Sequence, residues 1–267
     1  MIPYADYHMH TPLCGHAIGE PEEYVKQAIK IGLKEIGFSD HAPMVHRPMP
    51  SVTMSFEELP KYHAMIEDVR KRYASQISIK IAIEADFLPG YESKTKSMVN
   101  SYPYDYIIGS VHFIDDWAFD DPACREYWKE HDVNEVYLKY YALLRQSAKT
   151  GFYQIIGHCD LPKKFGATPT IDLTDEIRAT AKVFKDSGVA VEINTAGLRK
   201  PIAEMYPAPN CLKIYREAGV PLTFGSDAHD NKDVGQFFDQ AVDFAKSVGY
   251  SDYLIFKDRQ IEKRIKL

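Results

Sequence analysis

Short apolar stretches alternate with amphipathic helical ones along the whole chain, and that alternation leaves few folds open. Runs of strand length and composition fall at residues 4–10, 35–39, 77–85, 106–111, 153–157, 189–194 and 221–225. Between them the 3.6-residue period predicts helices over 21–32, 56–74, 133–150, 173–186, 209–218 and 233–248. The first opens on Pro21 with two glutamates in its positive first turn, and Gly151, Gly188 and Gly219 close later ones. A last short strand is expected at 253–256. Strands alternating with helices of this length make βαβ units and a parallel sheet. Seven units closing on themselves predict an α/β architecture, a (β/α)7 TIM-like barrel spanning 1–267 as one domain, with its chemistry at the C-terminal ends of the strands.

Those ends carry the chemistry. Seven of the ten histidines lie where strands run out or just beyond: His8, His10, His16, His41, His112, His158 and His229. Glu84 and Asp227 occupy the same kind of position. Residues i and i+2 of a strand point to one side, so His8 and His10 can converge on a single ion. One such pair is weak evidence, but its repetition over six strand ends is what a multi-metal site on a barrel rim requires. His46, His63 and His131 have no partner in view and read as ordinary packing or surface residues. None of the four cysteines shows CxxC spacing; Cys14 and Cys159 adjoin proposed ligands and read as small buried thiols, with a cysteine ligand as the alternative.

Composition excludes several classes. The net charge of −6 argues against a nonspecific nucleic-acid partner, which wants a basic surface. No stretch approaches the roughly 18 apolar residues of a membrane span. With no charged and apolar leader in view, the expectation is a cytoplasmic protein. Two irregular segments, 42–55 and 114–132, are long enough to act as a lid or substrate-shaping wall, or to be mere excursions.

The ligand set His8-x-His10, His16, Ser39-Asp-His41, Glu84-Ala-Asp, Ser110-Val-His112, Gly157-His158 and Ser226-Asp-Ala-His229 resembles the polymerase-and-histidinol-phosphatase family over essentially the whole chain. Thr11-Pro-Leu-Cys-Gly-His16, Gly157-His-Cys-Asp-Leu-Pro-Lys-Lys-Phe165 and Asn194-Thr-Ala-Gly-Leu-Arg199 are similar to its histidinol-phosphate phosphatase branch. The resemblance implies a distorted barrel of seven units with three divalent transition-metal ions. One would take His8, His10, Glu84 and Asp227. A second would share Glu84 and add His112 and His158, and the third would take His16, His41 and His229. A donor set of imidazoles and carboxylates suits Zn, Fe or Mn.

The activity implied is hydrolysis of a small phosphate ester, L-histidinol phosphate, in histidine biosynthesis. Ions this close make a water nucleophilic at neutral pH and clamp phosphoryl oxygens. Arg199 offers a planar fork for the phosphate, and Lys163 and Lys164 offer further charge. Asp160 or His229 would assist the leaving oxygen, Asp160 being equally a holder of a substrate ammonium or a structural cap. The rival readings are another phosphomonoester or a nucleotide phosphodiester, a metal-dependent amidohydrolase or deaminase, and a metal-binding protein without catalysis. Nothing in the sequence bears on oligomeric state.

Overall fold

The computed structural model describes residues 4–267. Its strands are β1 (Ala5–Asp6), β2 (Glu35–Phe38), β3 (Ser78–Asp86), β4 (Tyr106–Ser110), β5 (Phe113–Ile114), β6 (Trp117–Ala118), β7 (Ile155–Ile156), β8 (Ala190–Asn194), β9 (Leu222–Gly225), β10 (Asp252–Lys257) and β11 (Gln260–Lys266). The helices are α1 (Pro21–Ile31), α2 (Leu59–Arg72), α3 (Glu92–Val99), α4 (Val133–Lys149), α5 (Thr174–Ser187), α6 (Pro209–Glu217) and α7 (Phe238–Ser247). β1, β2, β3, β4, β7, β8 and β9 pair in that order, all parallel, as a nearly closed barrel with a helix after each strand. The expected α/β barrel of seven units is therefore the architecture found.

Closure is made between the first and last barrel strands. Tyr7 N donates to Phe224 O at 3.0 Å, and Met9 pairs with Ala228 as a parallel bridge. Asp6 adds a side-chain clasp, accepting from Ser226 N at 2.9 Å and Gly235 N at 3.0 Å. β1 and β7 are shorter than the sequence suggests, because the backbone leaves the regular ladder just where it begins to present site residues. α3 was not anticipated; only Thr95, Met98 and Val99 of it are buried, too few for a clear apolar period.

The C-terminal segment departs most from expectation. The short strand expected at 253–256 is present as β10, outside the barrel; its antiparallel partner β11, almost wholly exposed and with no apolar run to betray it, was not anticipated. This hairpin closes the floor of the barrel. Phe256 N donates to Tyr7 Oη at 3.0 Å, Arg259 N donates to Asp105 O at 2.8 Å, and Lys80 pairs with Glu262 at 2.6 Å. Above it the Tyr7 and Tyr106 rings stack at 4.5 Å, each 6.3 Å from Phe256.

Gly37 makes that stacking possible. A Cβ there would lie 1.7 Å from Tyr106 Oη and 2.7 Å from Cζ, and Tyr106 is fully buried with its hydroxyl donating to Tyr7 O at 2.7 Å. Gly37→Ala should therefore overpack the floor and lower stability by about 1–3 kcal/mol. The shift in the urea midpoint measures it; a loss no greater than that of a surface substitution would show that the ring moves aside freely.

Candidate active site

Each proposed ligand reaches the rim by leaving a strand at its C-terminal end. His8 and His10 follow β1, His41 follows β2, Glu84 lies within β3, and His112, His158 and Asp227 each come two residues after β4, β7 and β9. His16 comes from the turn after β1 and His229 from the loop after β9. His158 (φ 24°) and Asp227 (φ 52°) hold left-handed backbone that favours glycine, a strain typical of positions fixed by function. His16, His41, Glu84, His112, His158, Asp227 and His229 line one cavity of about 610 Å³. His8 and His10 do not line it but lie fully buried beside Glu84 and Asp227, which do.

The structure brings all nine expected residues together, and Glu84 is their hub. Its Oε2 lies 2.8 Å from His41 Nδ1, 3.4 Å from His8 Nε2 and 3.8 Å from His10 Nε2. Its Oε1 faces His158 Nε2 at 3.1 Å and His112 Nε2 at 3.7 Å, and accepts from Ser110 Oγ at 2.5 Å. Asp227 Oδ1 adds a second anionic contact, 3.1 Å from His10 Nε2. Burial alone would raise the pKa of Glu84, but the imidazoles of His8, His41 and His112 outweigh it and hold the carboxyl well below its usual range. Asp227 is held low in the same way by His8, His10 and His229. Burial, then His10, pushes His41 and His229 down.

Several of these close approaches are not hydrogen bonds. His8 Nε2, both nitrogens of His10, Glu84 Oε2 and His229 Nε2 are buried without any hydrogen-bond partner. Buried polar atoms are almost always paired, so a convergent group of orphans calls for a cation between them. The donor set fits a cluster of transition-metal ions. Donor atoms within 4.8 Å of one another group His8 with His10 and Asp227, and His41 with Glu84 and His112. They also group His10 with His41 and His229, and Cys14 with His16 and His229. His41 thus stands between the Glu84 side and the outer imidazoles rather than wholly with the latter.

Carboxylates behind two of the imidazoles fix their tautomers. Glu192 Oε1 lies 2.7 Å from His8 Nδ1, leaving Nε2 to face Glu84. Asp86 Oδ1 lies 3.1 Å from His112 Nδ1. Asp40 Oδ1 approaches His10 Nδ1 at 3.4 Å without a hydrogen bond. Glu192 escaped the sequence analysis because an acid inside an apolar strand carries no motif. Gly225 admits it: a Cβ there would sit 1.9 Å from Glu192 Oε1 and 2.6 Å from His8 Cβ.

The substrate-binding expectations need correction. Arg199 does not line the cavity; its Nη2 donates to Ser226 O at 2.7 Å and Asp227 O at 3.1 Å, and its Nε faces Asp233 at 3.5 Å. The guanidinium braces the loop that carries Asp227 and His229. Lys163 is buried, donating to Met205 O at 2.7 Å and pairing with Glu204 at 2.6 Å and Asp160 at 2.9 Å. Asp160 also accepts from Ala208 N, the residue before α6, at 2.7 Å, which makes it a buried cap rather than a proton donor to substrate. Lys164 does line the cavity, and two residues the sequence analysis missed line it with Lys164: Lys200 and Asp120. Lys200 forms no ion pair among the described residues, whereas Asp120 pairs with Lys164 at 2.9 Å. Burial would raise the Asp120 carboxyl, but Lys164, then His112, bring it down to about 2.

The PHP domain family model matches residues 6–196. A relative from Deinococcus radiodurans, named "Probable histidinol-phosphatase", is 41% identical over 93% of this chain and 95% of its own. The histidinol-phosphatase of Bacillus subtilis is 30% identical over 88% of this chain and 96% of its own. The crystal structure of the Lactococcus lactis histidinol phosphate phosphatase, with zinc, L-histidinol and phosphate, superposes with a TM-score of 0.85. That comparison covers 97% of this chain and 99% of the other at 24% identity, and it bears on the fold.

Removing the acid behind His8 tests the tautomer argument. Glu192→Ala should weaken metal retention about 10–100-fold, the usual cost of losing such a partner, without touching a ligand. Competition with a chromogenic chelator reads the affinity, and retention equal to wild type would show that His8 needs no orientation.

Proposed function

The chain belongs to the PHP domain family, and on that footing we propose that it is a histidinol-phosphatase, cleaving L-histidinol phosphate to L-histidinol and phosphate. The observation that carries the assignment is 41% identity to a relative of that name along nearly the full length of both chains. The cavity is chemically suited to it, with buried anionic and imidazole donors at its back and two lysines on its wall. No helix among the described residues is long and apolar enough to cross a membrane, which accords with a small diffusible substrate.

Three divalent ions are assigned to the nine residues. His8, His10, Glu84 and Asp227 would hold one, Glu84, His112 and His158 a second, and His16, His41 and His229 the third, with His41 also beside Glu84. Zinc accompanies the Lactococcus enzyme, and the imidazole-rich set here suits zinc, iron or manganese. Bound ions of this kind supply a nucleophile at neutral pH and neutralise charge on a phosphoryl group. Glu84 suits the bridging role because its two oxygens face different imidazole sets.

The chain's own residues do the rest. Lys164 and Lys200 meet the phosphate dianion as point charges, taking the part the sequence suggested for Arg199 and Lys163. Arg199 acts at one remove, holding the backbone of Asp227 in its left-handed turn. Of the two candidates for the leaving oxygen, only His229 lines the cavity. Its Nδ1 lies 3.1 Å from Asp227 O, so Nε2 has either an ion or a proton to hold, not both.

Initial rates on a panel of phosphomonoesters test the assignment. Histidinol phosphate should be the best substrate by kcat/KM, and turnover no faster than that of a generic aryl phosphate would overturn it. Glu84→Gln should abolish turnover and lower the metal content by more than one equivalent, since an amide is a poor bridge. Elemental analysis and circular dichroism on one preparation separate that outcome from misfolding; near-wild-type activity would remove Glu84 from the site.

A further inference from the structure

Five charged side chains line the cavity apart from the proposed metal ligands: Asp86, Asp120, Asp121, Lys164 and Lys200. Asp86 is committed to His112, and Asp121 accepts from Ala123 N at 2.8 Å to start the short helix behind it. Lys200 forms no ion pair among the described residues. That leaves the Asp120–Lys164 pair, 2.9 Å apart, with side chains only 17% and 14% exposed. The two come from different loops, Asp120 from the irregular segment after β6 and Lys164 from the turn after β7.

An ion pair inside a substrate cavity is expensive to keep and more expensive to break one-sidedly. If Lys164 turns to a phosphate dianion, Asp120 is left as an unpaired carboxylate in a desolvated pocket, facing another anion. A substrate that brings its own cation removes that penalty. Phosphate esters of vicinal amino alcohols do so, since the ammonium sits on the carbon next to the phosphoryloxymethyl group. We propose that Asp120 is a specificity residue that takes the substrate's ammonium while Lys164 passes to the phosphate, so that one internal ion pair is exchanged for two with the substrate. The filter works by repulsion as much as attraction: a phosphate ester without an ammonium strands the carboxylate. The inference rests on the phosphatase reading, though not on histidinol being the alcohol.

Two substrate pairs read it, each differing only in the ammonium: histidinol phosphate against its desamino analogue, and phosphoethanolamine against ethyl phosphate. Wild type should prefer the ammonium-bearing member of each by kcat/KM. In D120N that preference should fall by at least about tenfold, the scale of one charge-assisted hydrogen bond, and D120E should keep part of it. Equal losses on both members, leaving the ratio unchanged, would mean that Asp120 merely holds Lys164, and would overturn the proposal. A wild type with no preference in either pair overturns it without any variant. If histidinol phosphate proves a poor substrate while the preference and its loss in D120N appear in the second pair, the substrate assignment fails and the role of Asp120 stands.

Discussion

Five imidazoles lie within 3.8 Å of the two oxygens of one buried carboxylate, and the rest of the molecule is arranged to permit it. Glu84 cannot satisfy that company by hydrogen bonds: Ser110 takes one lone pair of Oε1, and Oε2 has no aligned donor although three nitrogens approach it. Left alone, the cluster would bury unpaired acceptors on both sides, at a cost of several kcal/mol. Cations turn the same lone pairs into ligands. The site's stability and its chemistry therefore have one origin, and loss of metal should be felt as loss of local order.

Holding such a cluster in place falls to groups that never meet a substrate. Glu192 and Asp86 each stand behind a different imidazole, so the outward nitrogens of His8 and His112 are set before any ion arrives. Glycines make the room. Gly225 leaves space for the Glu192 carboxylate to pass beside His8, and Gly37 leaves space for the Tyr106 ring beneath. Asp6 and Arg199 complete the support by fixing the loop after β9 from both sides, one accepting from its Ser226 amide, the other donating to its Ser226 and Asp227 carbonyls. The left-handed turn at Asp227 is sustained by these contacts, and it puts the carboxylate 3.1 Å from His10.

What the sequence disclosed follows from what each residue has to do. Barrel strands were legible because they are buried on both faces and read as apolar runs, β3 and β4 above all. Rim residues were legible because histidine is rare and ends strand after strand. Glu192 was hidden, since nothing in Ala190–Asn194 distinguishes an inward acid from an outward one. Arg199 and Lys200 were exchanged because the short helical turn Thr195–Arg199 decides which of two adjacent cations faces the cavity, and a turn of that length has no periodicity to read. β11 was invisible for the opposite reason: its work is done by backbone pairing and by Glu262 with Lys80, not by an apolar face.

Charge sets what the cavity accepts. The chain carries −6 overall, which three divalent ions would offset, so selection among anions falls to groups at close quarters, where the metal centre and two lysines attract phosphate. A phosphate ester that carries an ammonium is bipolar, anionic at one end and cationic at the other. Inside, its two ends separate the charges again, the phosphate toward Lys164, Lys200 and the ions, the ammonium toward Asp120. The bipolar cavity and the bipolar substrate thus agree end for end, and a bare dianion leaves Asp120 without a partner. That agreement places the determinants of selectivity in the loops after β6 and β7, while the barrel rim, the same whatever the alcohol, does the work on phosphorus.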